Sequence, residues 1–338
     1  MNTSPRRSAI PVRQWAFVIA VYCCIAFTDP GAALAQDATF TNLVSLTSRE
    51  AALKFVAPSG VNYRIDFSTN LSSTTNGRWQ SLLTLQSAGV NQHTDSAAPF
   101  SSTRFYRAEQ LTGTNILTGD NLSTTNGDIV FHPVNHASFV MSWNGRTIYN
   151  DPVGGATPYA GFPRADLILV SHSHTDHYDA TTLAAVRGSN GVIIAPQAVY
   201  TAMSTALRSN TFVLAYGSAT NAGGINILSV PAYNSYHPYG ANNAYLLTIG
   251  GKRILTTGDS GDVPELRALT NIDLAFVCMN LPYTMTAPEA TNDVRAFHPS
   301  VVYPYHYRDS SNATTNAAYF KQLLGLDAAI EVRLRKWY

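Results

Sequence analysis

The spacing of apolar residues divides this chain into stretches of different character. From Trp15 to Phe27 every residue is apolar or aromatic. Between residues 37 and 112 the pattern changes to period two. Val61-Asn-Tyr-Arg-Ile-Asp-Phe67 and Trp79-Gln-Ser-Leu-Leu-Thr-Leu85 are short alternating runs bounded by Ser, Thr, Asn and Gly, and a last run ends at Phe105-Tyr106-Arg107. Alternation of this kind places successive side chains on opposite faces of a strand. With no helical periodicity among them, these runs predict a small all-β sandwich module over 37–112. Residues 113–127 are polar and rich in Gly, Asn and Thr, and are expected to be a linker.

From Asp128 the pattern becomes mixed. Strands are predicted at 129–131, 138–143 and 146–149, with Asn144-Gly145 as a two-residue hairpin turn. Ala165-Asp-Leu-Ile-Leu-Val170 is a short apolar run that fits a buried strand. A helix over 181–187 and a strand over 191–195 follow. Further on, strands are expected at 244–249, 253–256, 272–278 and 301–304, with a helix over 288–297. Two mixed β/α halves predict a sheet-on-sheet core flanked by helices, spanning 128–338.

The 338 residues are 45% hydrophobic and 13% charged, enough to bury a sizeable core in two domains. The formal net charge of +1 argues against a nucleic-acid partner. Residues 1–35 read as a secretory signal peptide: Arg6, Arg7 and Arg13 precede the apolar run, and Ala33-Leu34-Ala35 offers a small-residue cleavage site before Gln36. The run is short of the roughly 20 residues that a membrane span needs. Export to a periplasm or to the outside is therefore expected, with no stable membrane span after cleavage. Cleavage would leave Cys278 as the sole cysteine, in an apolar run that predicts a buried, unreactive thiol. No intramolecular disulfide is then available.

The chemistry concentrates in Ser171-His-Ser-His-Thr-Asp-His-Tyr-Asp179. Its H-x-H-x-D-H spacing supplies His172, His174, Asp176 and His177, on a loop leaving a predicted strand, where α/β folds place their sites. On an extended backbone His172 and His174 point the same way and can reach one ion. Asp176 and His177 follow the bend and can face a second. His237, Asp259 and His306 also stand at predicted strand ends, each weak evidence alone. Imidazole and carboxylate ligands without thiolate suit zinc, with manganese or iron as alternatives. No G-x-S-x-G elbow or P-loop supports a competing chemistry. In the N-terminal module His93 is the only histidine and is expected on a solvated loop; His132 and His298 are expected to have no functional role.

These residues together resemble the metallo-β-lactamase-fold hydrolases. The matching parts are H-x-H-x-D-H at 172–177, His237, Gly258-Asp259 and Pro304-x-His306, with Asn135-His-Ala-Ser138, Tyr149-Asn-Asp-Pro152 and Thr284-Met285 around them. The likeness covers roughly 128–308 and is greatest to the branch of ascorbate-6-phosphate lactonase and N-acyl-phosphatidylethanolamine phospholipase D. It implies an αββα sandwich. It also implies that His172, His174 and His237 hold one divalent ion, that Asp176, His177 and His306 hold a second, and that Asp259 bridges them. His136 is expected near the second ion, as a hydrogen-bond donor or proton shuttle. The passage from Tyr63 to Tyr106 resembles the fibronectin-III-like sandwiches of exported bacterial proteins.

Two ions about 4 Å apart can share a hydroxide and polarise the bond under attack, so no side-chain nucleophile is needed. The expected activity is hydrolysis of an ester, lactone, amide or phosphodiester in a small-molecule or lipid-like substrate, with Asp176, Asp259 and His136 carrying catalytic roles. Only 21 residues separate His237 from Asp259, which leaves no room for the domain that nuclease relatives insert there. Oxygen-reducing iron relatives carry glutamate where His174 stands. Asp151 and Asp179 are candidates to support the ligands from behind; for Asp151 a plain turn role is equally open. Tyr236, Tyr239, Tyr283 and Met285 are candidates to line the pocket. The competing expectation is a non-catalytic exported binding protein whose metals serve stability.

Overall fold

The computed structural model describes residues 38–46, 50–69, 79–101, 103–314, 316–325 and 329–338. The expected signal peptide lies outside these residues. The N-terminal strands are β1 (Thr39–Ser45), β2 (Ala51–Val56), β3 (Asn62–Ser68), β4 (Gln80–Gln86), β5 (Val90–Asp95) and β6 (Phe105–Leu111). A first half follows: β7 (Gly119–Thr124), β8 (Gly127–Asn135), β9 (Ser138–Trp143), β10 (Arg146–Asn150), β11 (Ala165–Leu169), α1 (Ala180–Val186), β12 (Arg187–Ala195), α2 (Gln197–Ala202), α3 (Thr205–Arg208) and β13 (Thr211–Val213). The second half holds β14 (Ala219–Ala222), β15 (Ile225–Ala232), β16 (Asn242–Ile249), β17 (Lys252–Thr256), α4 (Pro264–Arg267), β18 (Leu274–Cys278), α5 (Ala287–Phe297), β19 (Val301–Tyr305), α6 (Asn316–Leu324) and β20 (Glu331–Val332).

Two large sheets face each other. One runs β13-β12-β11-β10-β9-β8-β7 and continues into β4-β3-β6; the other runs β14-β15-β16-β17-β18-β19-β20. In each half an antiparallel meander gives way to parallel strands: β10, β11 and β12 in the first, β17, β18 and β19 in the second. Parallel strands are buried on both faces, which explains why β11 and β18 read as near-continuous apolar runs. Between the sheets, Phe139 stacks on Phe276 at 4.0 Å and Phe276 on Tyr303 at 5.0 Å, with Trp337 set edge-on to the first two. Leu183, Val186, Val199 and Leu207 of α1–α3 cover the outer face of the first sheet. On the second sheet α5 buries Ala290, Val294 and Phe297 while α6 buries Phe320 and Leu324. This is the αββα arrangement.

The N-terminal residues add a small antiparallel sheet, β1-β2-β5, which shares a core with β3, β4 and β6 built on Leu53, Phe55, Tyr63, Ile65 and Tyr106. The expected linker over 113–127 needs correction, because residues 119–124 form β7. This strand pairs with β8 on one side and with β4 on the other. Its polar residues fooled the pattern because their partners are polar: Asn121 Nδ2 donates to Thr84 Oγ1, and Asp120 takes Arg335 at 2.7 Å. His93 is a second correction. It lies in β5, in register with Leu53, and its Nε2 is buried without a partner.

Candidate metal centre

Each expected ligand leaves a strand at the same edge of the two sheets. His172, His174, Asp176 and His177 follow β11; His237 lies between β15 and β16; Asp259 follows β17 and His306 follows β19. The parallel strands of each half deliver their C-terminal ends to this edge, as open α/β sheets do. Gly258 makes the approach of Asp259 possible. Its φ is +53°, and a Cβ there would meet Asn242 Oδ1 at 2.8 Å and the Asn243 carbonyl oxygen at 2.9 Å. The glycine before the aspartate is thus dictated by conformation and by space.

Asp259 stands at the centre, buried, with its two oxygens facing different groups. Oδ2 lies 3.5 Å from His237 Nε2 and 3.9 Å from His172 Nε2. Oδ1 lies 3.3 Å from both His177 Nε2 and His306 Nε2. His174 Nδ1 joins the first group, 3.2 Å from His237 Nε2. Asp176 Oδ2 joins the second, 3.6 Å from His306 Nε2 and 3.7 Å from His177 Nε2. The structure therefore brings all seven residues together, in two groups of three sharing one carboxylate.

The hydrogen bonds behind the histidines test whether these groups fit cations. His177 Nδ1–H donates to Asp151 Oδ2 at 2.9 Å. His237 Nδ1–H donates to Asn234 Oδ1 at 3.0 Å. Ser171 Oγ donates to Asp151 at 2.8 Å and so accepts from His172 Nδ1–H at 3.0 Å. In each case the proton sits on the outer nitrogen, and the inner Nε2 offers a lone pair to the cluster. His172 Nε2 and Asp259 Oδ1 are buried with no hydrogen-bond partner. Converging lone pairs and orphaned buried atoms are costly when left unpaired, and divalent cations would satisfy both. The donor set fits the group.

Charges around the centre follow the same division. Burial, reinforced by the charge of His177, holds His172 well below its usual range. Burial alone would raise Asp259, but His177 and His306 outweigh it and hold the carboxylate well below its usual range. Burial opposes charge on His177 and His306 too, yet Asp259, followed by Asp151 for His177 and Asp176 for His306, raises both. The buried carboxylate thus favours positive charge beside it, which is the charge a divalent ion held by these residues would bring.

The surroundings divide the remaining candidates. Asp151, at the end of β10 with φ +41°, accepts from Ser171 N–H at 2.6 Å as well as from His177. Asp179 does not support a ligand; it caps α1, accepting from the Thr181 and Thr182 amides. His132 bonds the Thr118 carbonyl, and His298 ends α5 in the left-handed region. Met285 is buried in the core, while Tyr236, Tyr239 and Tyr283 are exposed beside His237. Asn234 ties this rim to the site, since its side chain holds His237 and donates to the Asp259 and Tyr283 carbonyls. His136 Nε2 lies 3.1 Å from Asp176 Oδ2, and its Nδ1 lies 3.0 Å from the hydroxyl of Tyr338. Sequence reasoning missed Asn234, Ser171 and Tyr338. Ser171 stood inside the motif and Asn234 three residues before His237, but Tyr338 is 202 residues from its partner and gave no signal.

A facing pair of β/α halves with a shared-carboxylate histidine centre at one edge defines the class. Residues 131–306 match the β-lactamase superfamily domain. The chain belongs to the metallo-β-lactamase superfamily, and its curated relatives include UPF0173 metal-dependent hydrolases. It is 30% identical over 211 residues to one from Pyrococcus abyssi and 29% identical over 210 residues to one from Thermococcus onnurineus, each match covering 58% of this chain and 92% of the relative. Among solved structures, a protein of Parabacteroides distasonis described as a metal-dependent hydrolase is 33% identical, with a TM-score of 0.59, over 66% of this chain and all of that one. The diiron β-hydroxylase CmlA of Streptomyces venezuelae shares the fold at 18% identity and a TM-score of 0.52, over 64% of this chain and 54% of that one.

Proposed function

We propose that this protein is an exported hydrolase that works with two divalent ions, zinc foremost, held by His172, His174 and His237 on one side and Asp176, His177 and His306 on the other. The observation that carries the reading is Asp259, whose two oxygens each face a separate group of imidazoles across a buried carboxylate. When bound, the ions supply Lewis acidity and bring the pKa of water towards neutrality. The residues of the chain do the rest. Asp259 and Asp151 hold the ligand set rigid, and Asp176 presents a carboxylate to the entrance. Asp176 is the member open to solvent, with 44% of its side chain exposed, and His174 is exposed as well. A metal cage kept only for stability would be closed, so this opening favours catalysis over a purely structural centre.

The exposed tyrosines 236, 239 and 283 support a substrate with a planar or apolar group beside the bond that is cleaved, in keeping with a small-molecule or lipid-like ester, lactone, amide or phosphodiester. Export rests on residues 1–35 and is tested by cell fractionation with N-terminal sequencing, which should begin at Gln36. The hydrolase reading is tested by metal quantification of the purified chain together with turnover of a panel of those four substrate types. About two ions per chain are expected, with activity lost in His172→Ala and Asp259→Ala. A chain that binds no divalent metal, or one whose activity survives both substitutions, overturns it.

A further inference from the structure

His136 poses a question that distance alone leaves open. One ligand-type atom from each of His136, Asp176 and His306 lies within 4.8 Å of the other two, so His136 is close enough to be a ligand in its own right. What decides is the position of its proton. We infer that Tyr338 fixes the tautomer of His136, making His136 a hydrogen-bond donor to Asp176 and not a ligand, so that Tyr338 is a positioning residue for the second ion.

The argument is a count of donors and acceptors. The Tyr338 hydroxyl has one proton to give and two lone pairs. The Arg308 amide N–H donates to it at 3.2 Å, which uses a lone pair. The phenol is protonated at neutral pH, and among the described residues the one hydrogen-bond partner of the hydroxyl able to accept that proton is His136 Nδ1, at 3.0 Å. A neutral imidazole that accepts at Nδ1 carries its hydrogen on Nε2. That nitrogen sits 3.1 Å from Asp176 Oδ2, where a proton is needed: two lone pairs facing each other at this distance would repel, whereas N–H to carboxylate is a charge-assisted bond. An Nε2 that carries hydrogen has no lone pair for a metal. The series therefore runs from Arg308 N–H to Tyr338, from Tyr338 O–H to His136, and from His136 Nε2–H to Asp176.

The frame around this series is rigid. The Arg308 guanidinium lies 3.8 Å above the Tyr338 ring. The His136 ring packs against His306 with centroids 3.7 Å apart and planes tilted by 46°, and His136 holds a left-handed backbone at φ +56°. Its amide donates to the Trp337 carbonyl at 3.1 Å, and its own carbonyl accepts from the His306 amide at 3.2 Å. His136 is thus fixed between residues 337–338 and a ligand of the second group. The consequence falls on Asp176, the most exposed of the ligand carboxylates: a donor at Oδ2 sets the angle at which that carboxylate meets the second ion. The tautomer stands on the hydrogen bonds alone, while its effect on an ion rests on the proposed two-metal reading.

The test uses the full chain labelled with 15N-histidine, followed by long-range proton–nitrogen correlation at neutral pH, without metal and with zinc. The His136 signals are assigned from their loss in His136→Gln. The expected pattern is Nε2–H with an unprotonated Nδ1 in both states. Tyr338→Phe keeps the ring beneath Arg308 and removes the hydroxyl; it should mix the tautomers and weaken the second zinc ion about tenfold or more, the range seen for outer partners of metal ligands, leaving the first ion unchanged. His136→Gln, whose amide can still donate to Asp176, should hold the second ion better than His136→Ala. An Nδ1–H pattern in the wild-type chain overturns the inference, as does an Nε2 signal that moves to a metal-bound position on zinc loading. Tyr338→Phe with wild-type tautomer and zinc affinity would also sink it. If zinc does not bind at all, the two-metal reading fails while the metal-free spectrum still decides the tautomer.

Discussion

At the scale of single residues, proton placement organises the centre. Ser171, Asn234 and Asp151 each take the outer nitrogen of a histidine, and the inner lone pairs then converge. This makes Asp151 more than a turn residue, although its sequence, an aspartate before Pro152, carried both readings equally. Asp151→Asn keeps the shape and removes the charge behind His177. It should weaken the second metal ion by about ten- to a hundredfold with little change in fold. Zinc titration against a competing chelator measures this, and unchanged affinity would return Asp151 to a plain turn role. The seven ligand types were legible because four lie in one motif and three at strand ends with readable flanks. Asp179 was misread because a helix-capping aspartate and a supporting one look alike in a sequence; the free amides of α1 decide between them.

At the scale of elements, the paired strands and the buried β11 were readable from apolar period, and the Asn144-Gly145 turn from its chemistry. Both its residues have positive φ, +48° and +73°, as that tight turn requires. Gly258 shows how an element end is tied to the site. Gly258→Ala should cost about 1–3 kcal/mol for the left-handed backbone alone and should also lower metal affinity, because relief of the clash with Asn242 and Asn243 moves Asp259. Thermal melts and metal quantification on the same variant check the two effects. In β5, burial and then the nearby charge of Arg335 lower His93 from its usual 6.5 to about 4. The folded chain therefore keeps His93 neutral where the unfolded chain takes up a proton. Stability is fully present above about pH 6.5 and declines as the pH falls towards 4, by an amount of up to about 3 kcal/mol. Melting the wild type and His93→Leu across this window should show a steeper decline for the wild type; parallel curves would refute it.

At the scale of the whole molecule, the last ten residues join regions that are far apart in the chain. Glu331 accepts from Ser96 of the N-terminal region at 2.8 Å, Arg335 clasps Asp120 of β7, and Trp337 is buried between the sheets. Burial favours a protonated Asp120, but Arg335 and Arg333 outweigh it and lower the group to about 2. Ion binding should stabilise this assembly, since ligands from both halves meet at Asp259. Chelator should lower the melting temperature and zinc restore it, by about 2.7 kcal/mol for each ion at a hundred times its dissociation constant. No change with either treatment would mean that the centre is not loaded in the folded chain. The sequence by itself determined the ligand types, the glycine before Asp259 and most strands, because local spacing and period act over a few residues. The tertiary structure decided that β7 is a strand, that His93 turns its Nε2 inward from β5, which nitrogen of His172, His177 and His237 faces the cluster, and that Tyr338 reaches His136. Those outcomes depend on partners tens to hundreds of residues away, and the position of a hydrogen-bond partner in space is not written in the spacing of residues along the chain.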